Sequence, residues 1–356
     1  SAQELQKEWT EIEQLQKRAE NGDSAAQNKL GFSYYTGQNV RKDAELAVYW
    51  FRKAAEQGRA ASQWNLGICY KNGTGIMQDL DQAFAWFTKA AQQDHAAAQY
   101  HLGECYRLGK GVKQDLILAS AWYQKAAVQG HAGAHLLLGD CYWNGDGLEE
   151  NRAEAFDWYQ RAAEQNNSGA QYALGNCYLY GMGVEKDLVR AAEWYRKAAL
   201  RGHADAQLVI GSCYYEGSGV EKDAAQAVKW FEKAAEQGNA HAQFNLGCCY
   251  DSGYGVGQDI AQAIQWFRKS AEQGYASAQF NLGCCYANGT GVTKNPEQAF
   301  DWFQKAAEQG NAAAQYQIGF RYQIGEGITR DIHQAMDWYL KALKQGNQDA
   351  ALQYKK

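Results

Sequence analysis

Proline is almost absent from this sequence, and several other features are missing with it. One proline in 356 residues excludes proline-rich linkers and favours helix throughout. No apolar run approaches the roughly 20 residues that span a bilayer. The net charge is -5, without the basic excess typical of nucleic-acid binding, so we expect no nucleic-acid partner. The chain begins Ser-Ala-Gln-Glu-Leu, so a signal peptide either does not exist or has been removed from this chain.

Sequence motifs of catalysis and metal binding are missing as well. The chain contains no S-x-x-K, G-x-S-x-G or H-E-x-x-H. His131 and His135 have the i, i+4 spacing of two metal ligands on a helix, but the sequence suggests no third ligand. We therefore expect no catalytic residue, no metal site and no cofactor, and we predict that the protein is not an enzyme.

The nine cysteines do not have the spacing of a disulfide framework. Cys248 and Cys284 each precede another cysteine, and the remaining seven stand 36 residues apart. Equivalent residues of stacked helices lie roughly 8–10 Å apart, whereas a disulfide needs Cα atoms within about 7 Å. We predict that the seven regularly spaced cysteines are unpaired small residues of a core. They are Cys69, Cys105, Cys141, Cys177, Cys213, Cys249 and Cys285.

The same period of 36 residues organises the whole chain. A Leu-Gly or Ile-Gly pair begins at 30, 66, 102, 138, 174, 210, 246, 282 and 318. A tryptophan followed by tyrosine or phenylalanine begins at 50, 86, 122, 158, 194, 230, 266, 302 and 338. No insertion interrupts the period. The sequence therefore predicts nine repeats in a single domain over residues 24–346.

The pattern predicts two helices in each repeat, which we call helix A and helix B. Aspartate or asparagine stands before every helix B, where its side chain can accept a hydrogen bond from a free backbone N–H. Pro296, the only proline, follows Asn295 and falls at the first position of a helix. The G-x-G between the helices recurs along the chain, as in Gly73-Thr-Gly75, so it indicates a turn and not a phosphate loop.

The two ends of the chain depart from this pattern. Residues 1–23 resemble a degenerate helix B, in which Leu15 and Ala19 keep the pattern but its tryptophan is missing. Residues 347–356 begin another helix A and then stop. We predict that both ends are capping elements, because a terminal repeat would otherwise expose its apolar stacking face.

These motifs resemble the Sel1-like repeat family. The shared pattern is A-x-A-Q-x-x-L-G-x-x-Y-x-x-G-x-G-V-x-x-D, then A-x-x-W-[FY]-x-K-A-A-x-Q-G. The resemblance implies an all-α fold, an α/α superhelical solenoid like that of tetratricopeptide repeats. It also implies a non-catalytic adaptor or scaffold that binds other proteins. The glutamine-rich pattern and the length are similar to those of bacterial virulence members, which implies a secreted, periplasmic or envelope protein acting on host cells.

By analogy with tetratricopeptide repeats, helix A lines a concave groove that holds a partner's peptide or helix. The residues predicted to bind partners are Trp64, Tyr100, Arg107, Trp143, Tyr172, Leu179, Tyr180, Tyr215, Phe244, Phe280 and Tyr316. Large aromatic residues and arginine dominate protein interfaces. The alternative for the position two before the leucine, as in Trp64, is packing between neighbouring helices as part of the core.

A cation recurs near the end of helix B and motivates a second hypothesis. These residues are Lys53, Lys89, Lys125, Arg161, Lys197, Lys233, Lys269, Lys305 and Lys341. They and the turn cations could bind a membrane surface or phosphoinositide, with weak contact to anionic lipid. The simpler interpretation is that they pair with the glutamate three residues later, as Lys233 with Glu236, and favour the helix C-terminus. We expect a monomer whose partners are other proteins, host proteins among them.

Overall fold

The computed structural model describes residues 2–354, and the side chains of residues 11–353. In this range the chain forms twenty α-helices and no strand, which confirms the predicted all-α fold. The helices are α1 Ala2–Glu20, α2 Ser24–Thr36, α3 Ala44–Glu56, α4 Ala60–Asn72, α5 Leu80–Ala91, α6 Ala96–Leu108, α7 Leu116–Val128, α8 Ala132–Asn144, α9 Arg152–Glu164, α10 Ser168–Tyr180, α11 Leu188–Leu200, α12 Ala204–Glu216, α13 Ala224–Glu236, α14 Ala240–Ser252, α15 Ile260–Glu272, α16 Ala276–Asn288, α17 Pro296–Glu308, α18 Ala312–Ile324, α19 Ile332–Lys344 and α20 Gln348–Tyr354.

The helices form two compact units, of which the first ends at Glu185 and the second begins at Lys186. Within each unit, every helix packs against the helix before it and the helix after it. Each unit is thus a solenoid of stacked helices, with helix A at even numbers from α2 to α18 and helix B at odd numbers from α3 to α19. The assignment of residues 1–23 and 347–356 as caps stays a prediction, and residues 1, 355 and 356 lie outside the described residues.

Side-chain caps begin the helices as the sequence predicts. Every helix B follows an aspartate or asparagine whose side chain accepts a backbone N–H of the first turn. Asp259, for example, accepts the N–H of Gln262 at 3.0 Å. Pro296 occupies the first position of α17, where its missing N–H leaves no helical hydrogen bond unmade.

The two glycines of the G-x-G turn have different roles. Gly73 ends α4 in the left-handed conformation, and its N–H donates to the carbonyl of Cys69. Gly75 lies against the backbone carbonyl of Ala44, the first residue of the preceding helix B, so that a Cβ would collide with it. The motif therefore ends one helix and allows the preceding repeat to approach closely. This confirms its assignment to an inter-helix turn.

The core joins helix B of one repeat to helix A of the next. In the second unit, Phe231 of α13 packs with Leu246 and Cys249 of α14, and all three are buried. Fully burying a leucine or phenylalanine side chain contributes about 1.5–3 kcal/mol. The regular spacing of apolar residues thus produces a core that continues from repeat to repeat within each unit.

In most repeats a buried glutamine, the fourth residue of A-x-A-Q, ties helix A to the preceding repeat and to helix B of its own repeat. The amide of Gln243 donates to the carbonyl of Ala235 in the preceding helix at 3.1 Å. Its Oε1 accepts the amide of Gln273, 30 residues later, at 2.8 Å. The same pair of contacts joins Gln63 to Ala55 and Gln93. Gln63 and Gln243 are thus buried polar groups with hydrogen-bond partners, as is usual in folded proteins.

All nine cysteines are free, and burial raises the pKa of each thiol. Five of the seven regularly spaced cysteines are buried, while Cys213 and Cys285 are half-buried. Among the described side chains, no group of three or more potential metal ligands converges. Within residues 2–354, each helix is too short or too polar to cross a bilayer.

Candidate protein-binding surface

In the first unit, the aromatic residues two before the leucine of helix A are half-buried. Trp64 packs against the core of the following helices, and its ring stacks on that of His95 at 5.6 Å. Tyr100 stacks on His131 at 4.7 Å and lies 6.1 Å from Tyr123. These half-buried residues pack on the core as the alternative interpretation expects, and their role in partner binding stays a prediction.

The second unit repeats this arrangement with the aromatic residue of helix B. Phe244 lies 5.9 Å from Phe267, and Phe280 lies 5.6 Å from Phe303. Tyr316, the third member, is also half-buried, and its ring lies 5.7 Å from that of Tyr339. The aromatic residues two before the leucine therefore stabilise helix packing, whether or not they also bind a partner.

The predicted residues near the end of helix A are more exposed. Tyr180 is 63% exposed and Tyr215 is 44% exposed, while Leu179 is half-buried. Arg107 is anchored on one side, because its guanidinium donates to the Tyr123 hydroxyl at 3.2 Å and to Glu104 at 3.0 Å. These positions present large side chains to solvent, which is what recognition of another protein requires.

A cleft of about 360 Å³ lies in the first unit between α8 and α10. Its lining residues are Leu136, Asp140, Trp143, Asn144, Tyr159, Gly169, Tyr172, Ala173 and Asn176. The cleft brings together two of the predicted residues, Trp143 and Tyr172. Gly169 lets α10 approach the Leu136 side chain closely, since a Cβ there would lie 3.2 Å from it. A concave surface with aromatic walls and a few polar groups is typical of binding sites.

Asp140 of α8 supplies the acidic group of this cleft. One of its carboxylate oxygens accepts the hydroxyl of Tyr159 at 2.8 Å. Burial raises the pKa of Asp140, although the Tyr159 hydrogen bond and the charge of Arg107 act in the opposite direction. Desolvation is thus the dominant influence on this carboxylate, whose negative charge has incomplete compensation.

Trp143 forms the wall of the cleft next to a cation. The guanidinium carbon of Arg152 lies 4.1 Å from the centre of an indole ring of Trp143, a typical cation–π distance. Arg152 also pairs with Glu150 at 2.8 Å.

Sequence reasoning missed Asp140, Tyr159 and Gly169 as parts of this site. Their only signal was variation at a repeat position, as where Asp140 replaces the Ile68 of an earlier repeat.

The cations of helix B do not pair with glutamate as the sequence suggested. Among the described side chains, none of the ion pairs within 4.0 Å joins these cations to the glutamate three residues later. Each cation lies instead over the tryptophan three residues before it, at 3.7 Å for Lys341 and 5.6 Å for Lys53. The attraction of the indole face for a cation holds these groups against the protein, and nothing in the described range favours the membrane-binding alternative.

The two histidines with metal-ligand spacing have separate structural roles. The Nδ1 of His131 accepts the N–H of Ala134 at 3.2 Å and caps α8. The Nε2 of His135 contacts the carbonyl of Ala127 at 2.9 Å, where it replaces the buried glutamine of other repeats. One imidazole therefore begins a helix and the other ties two repeats together.

Comparison with known proteins agrees with this architecture. A family model described as "Sel1 repeat" matches nine consecutive segments. They are 24–58, 60–95, 96–131, 132–167, 168–203, 204–239, 240–275, 276–311 and 312–347. No curated protein matches the chain.

Two solved structures share both sequence and fold with it. A protective antigen present in uropathogenic Escherichia coli strains is 38% identical, with 96% of this chain and 81% of that chain covered and a TM-score of 0.76. A Sel1 repeat protein from Oxalobacter formigenes is 36% identical, with 68% and 96% covered and a TM-score of 0.61. From its nine repeats and these similarities, the chain belongs to the Sel1 repeat family.

Proposed function

We propose that this protein is a non-catalytic adaptor that binds other proteins along its helix-A surface. The observation that carries the proposal is the cleft between α8 and α10, which combines Trp143 and Tyr172 with a half-buried carboxylate. Aromatic residues in a concave site provide large contact areas at low entropic cost. Sel1-repeat proteins are generally protein-interaction scaffolds without enzymatic activity, which supports the same function here.

We further propose a bacterial protein of the envelope or the secreted fraction that acts in contact with host cells. The support for this finer assignment is the 38% identity to a protective antigen of uropathogenic Escherichia coli strains. The likeness to bacterial virulence members stays a prediction, as does the monomeric state. The other predicted contact residues, from Trp64 to Tyr316, are proposed to extend the surface within their own units.

Affinity capture from bacterial and human-cell lysates tests the proposal, with bound proteins identified by mass spectrometry. The test variant combines Trp143→Ala, Tyr172→Ala and Tyr180→Ala. A matched control combines Met77→Ala, Ile117→Ala and Val128→Ala, which removes three exposed apolar side chains of the same unit outside helix A. Circular dichroism checks that both variants remain helical.

We expect the test variant to lose a partner that the control retains. Hot-spot side chains of an interface cost 2 kcal/mol or more on truncation to alanine, so the combined loss should exceed tenfold in affinity. A partner that the test variant retains and the control loses would instead place the interface on helix B and the turns. Absence of a specific partner in either lysate would contradict the adaptor proposal.

A further inference from the structure

We propose that the cleft between α8 and α10 binds one basic side chain, lysine or arginine, of a partner protein, with Asp140 as its counter-charge. This inference rests on the proposed function and specifies the chemistry of the partner. The aliphatic part of the basic side chain would lie along the aromatic wall of Trp143 and Tyr172. Its charged end would meet the carboxylate beside Tyr159.

Comparison with the preceding repeat shows what Asp140 lacks. Glu104 occupies the equivalent position, 36 residues earlier. Its carboxylate lies 3.0 Å from the guanidinium of Arg107 and 3.9 Å from the ammonium of Lys71. That acidic group is therefore paired with two cations of the protein itself.

Asp140 has no ion pair with a residue at either of the two equivalent positions. The position equivalent to Arg107 is Trp143, which cannot carry a positive charge. The position equivalent to Lys71 is Arg107 itself, whose hydrogen bonds go to Glu104 and Tyr123. Among the described side chains, no lysine, arginine or histidine nitrogen lies within 4.0 Å of the Asp140 carboxylate.

The hydrogen bond from Tyr159 fixes the carboxylate but does not neutralise it. Oδ1 of Asp140 accepts that bond, which leaves Oδ2 to accept from a second donor. The environment is half-buried, where an ion pair is stronger than at an exposed surface. A cation entering the cleft would thus complete the pairing that Glu104 obtains within the chain, and a carboxylate would be repelled.

The walls of the cleft suit the rest of a basic side chain. Lysine and arginine bury their methylene stems along apolar surfaces while their charged ends remain hydrated or paired. Leu136 and Ala173 provide apolar lining. Trp143 already attracts the guanidinium of Arg152 at 4.1 Å, which shows that this indole is placed to contact a cation.

Peptide pools test the proposal on the full chain. The probes are N-acetylated octapeptide amides with one fixed central residue, which is arginine, lysine, citrulline or norleucine, and random flanking positions. Citrulline and norleucine keep the approximate shape of arginine and lysine without the charge. Retention on immobilised protein is quantified by mass spectrometry for the wild type, Asp140→Asn and Asp157→Asn. Asp157 is an exposed residue of α9, so its variant has the same change in net charge.

We expect the wild type to retain the arginine and lysine pools about tenfold more than their neutral counterparts, the order of a charge-assisted pair. Asp140→Asn should reduce this ratio to about one, and Asp157→Asn should leave it unchanged. Equal retention of charged and neutral pools, with binding still lost in the Trp143, Tyr172 and Tyr180 variant, would overturn the basic-side-chain proposal but spare the proposed function. Equal effects of the two aspartate variants would also overturn it. Failure of all pools to bind would overturn both.

Discussion

At the scale of single residues, buried glutamines connect consecutive repeats through hydrogen bonds. The side chain of Gln243 is 5% exposed and satisfies the carbonyl of Ala235 while it accepts a bond from Gln273. Removing this side chain takes one hydrogen bond from the carbonyl of Ala235, which keeps that of the Gly238 N–H, and one from the amide of Gln273. A polar residue therefore strengthens the contact between apolar elements.

Replacement of Gln243 by leucine should lower the free energy of unfolding by about 1–3 kcal/mol, because two hydrogen bonds of about 0.5–1.5 kcal/mol each are lost. Urea denaturation followed by circular dichroism measures the effect. Gln265→Leu is the matched control, because Gln265 is exposed on α15 of the same repeat. Equal urea midpoints for the two variants would contradict a structural role for the glutamine hydrogen bonds.

Some residue roles could be predicted from the sequence and others could not. The two groups differ in how far apart in the sequence the contacting residues lie. Asp259 caps a helix only three residues away, so spacing reveals its role. The bond between Gln243 and Gln273 joins side chains 30 residues apart, and its geometry depends on how the two helices of the repeat pack together. The acidic role of Asp140 was hidden for the same reason, since its hydrogen-bond partner Tyr159 lies on the next helix.

At the scale of the helix pair, a glycine in helix A allows close contact with the aromatic residue of helix B. A Cβ on Gly247 would lie 2.7 Å from the ring of Phe267 and 3.2 Å from the carbonyl of Ala263. Phe267 is 3% exposed, so its ring cannot move aside freely. The Leu-Gly pair thus sets the separation of the two helices.

Gly247→Ala should lower the free energy of unfolding by about 1–3 kcal/mol, because overpacking outweighs the gain of up to about 1 kcal/mol in helix propensity. Addition of Phe267→Leu should recover part of the loss, seen as a favourable coupling in a double-mutant cycle. Gly257→Ala is the control, since a Cβ there meets nothing within 4 Å. A Gly247→Ala variant as stable as the control would contradict this account of the motif.

The helices themselves could be predicted from caps, glycines and periodicity, whereas the contacts of their surfaces could not. The lysines of helix B were expected to pair with glutamate, but they lie over tryptophan. The glutamate stands three residues after the cation, and the tryptophan stands three residues before it. The tryptophan is half-buried in most repeats and fixed by packing, so it offers a ready surface, while an exposed ion pair gains little free energy.

At the scale of the whole molecule, repetition determines the architecture because each repeat contacts mainly its neighbours. The unbroken period of 36 residues predicts a solenoid, and the family assignment agrees with it. The division between Glu185 and Lys186 has no counterpart in the sequence, since the period continues across it. The proposed cleft was equally hard to predict, because Asp140 and Trp143 stand at positions where the repeats differ.

The central claim is that partners contact the helix-A surface, and site-specific photo-crosslinking tests it most directly. A benzoylphenylalanine is placed at Tyr180 or Tyr215, both exposed in helix A, or at Val128, which is 78% exposed at the end of helix B. Each full-length variant is mixed with the captured partner and irradiated. We predict crosslinks from position 180, position 215 or both, and none from position 128. Crosslinks from position 128 alone would contradict the account.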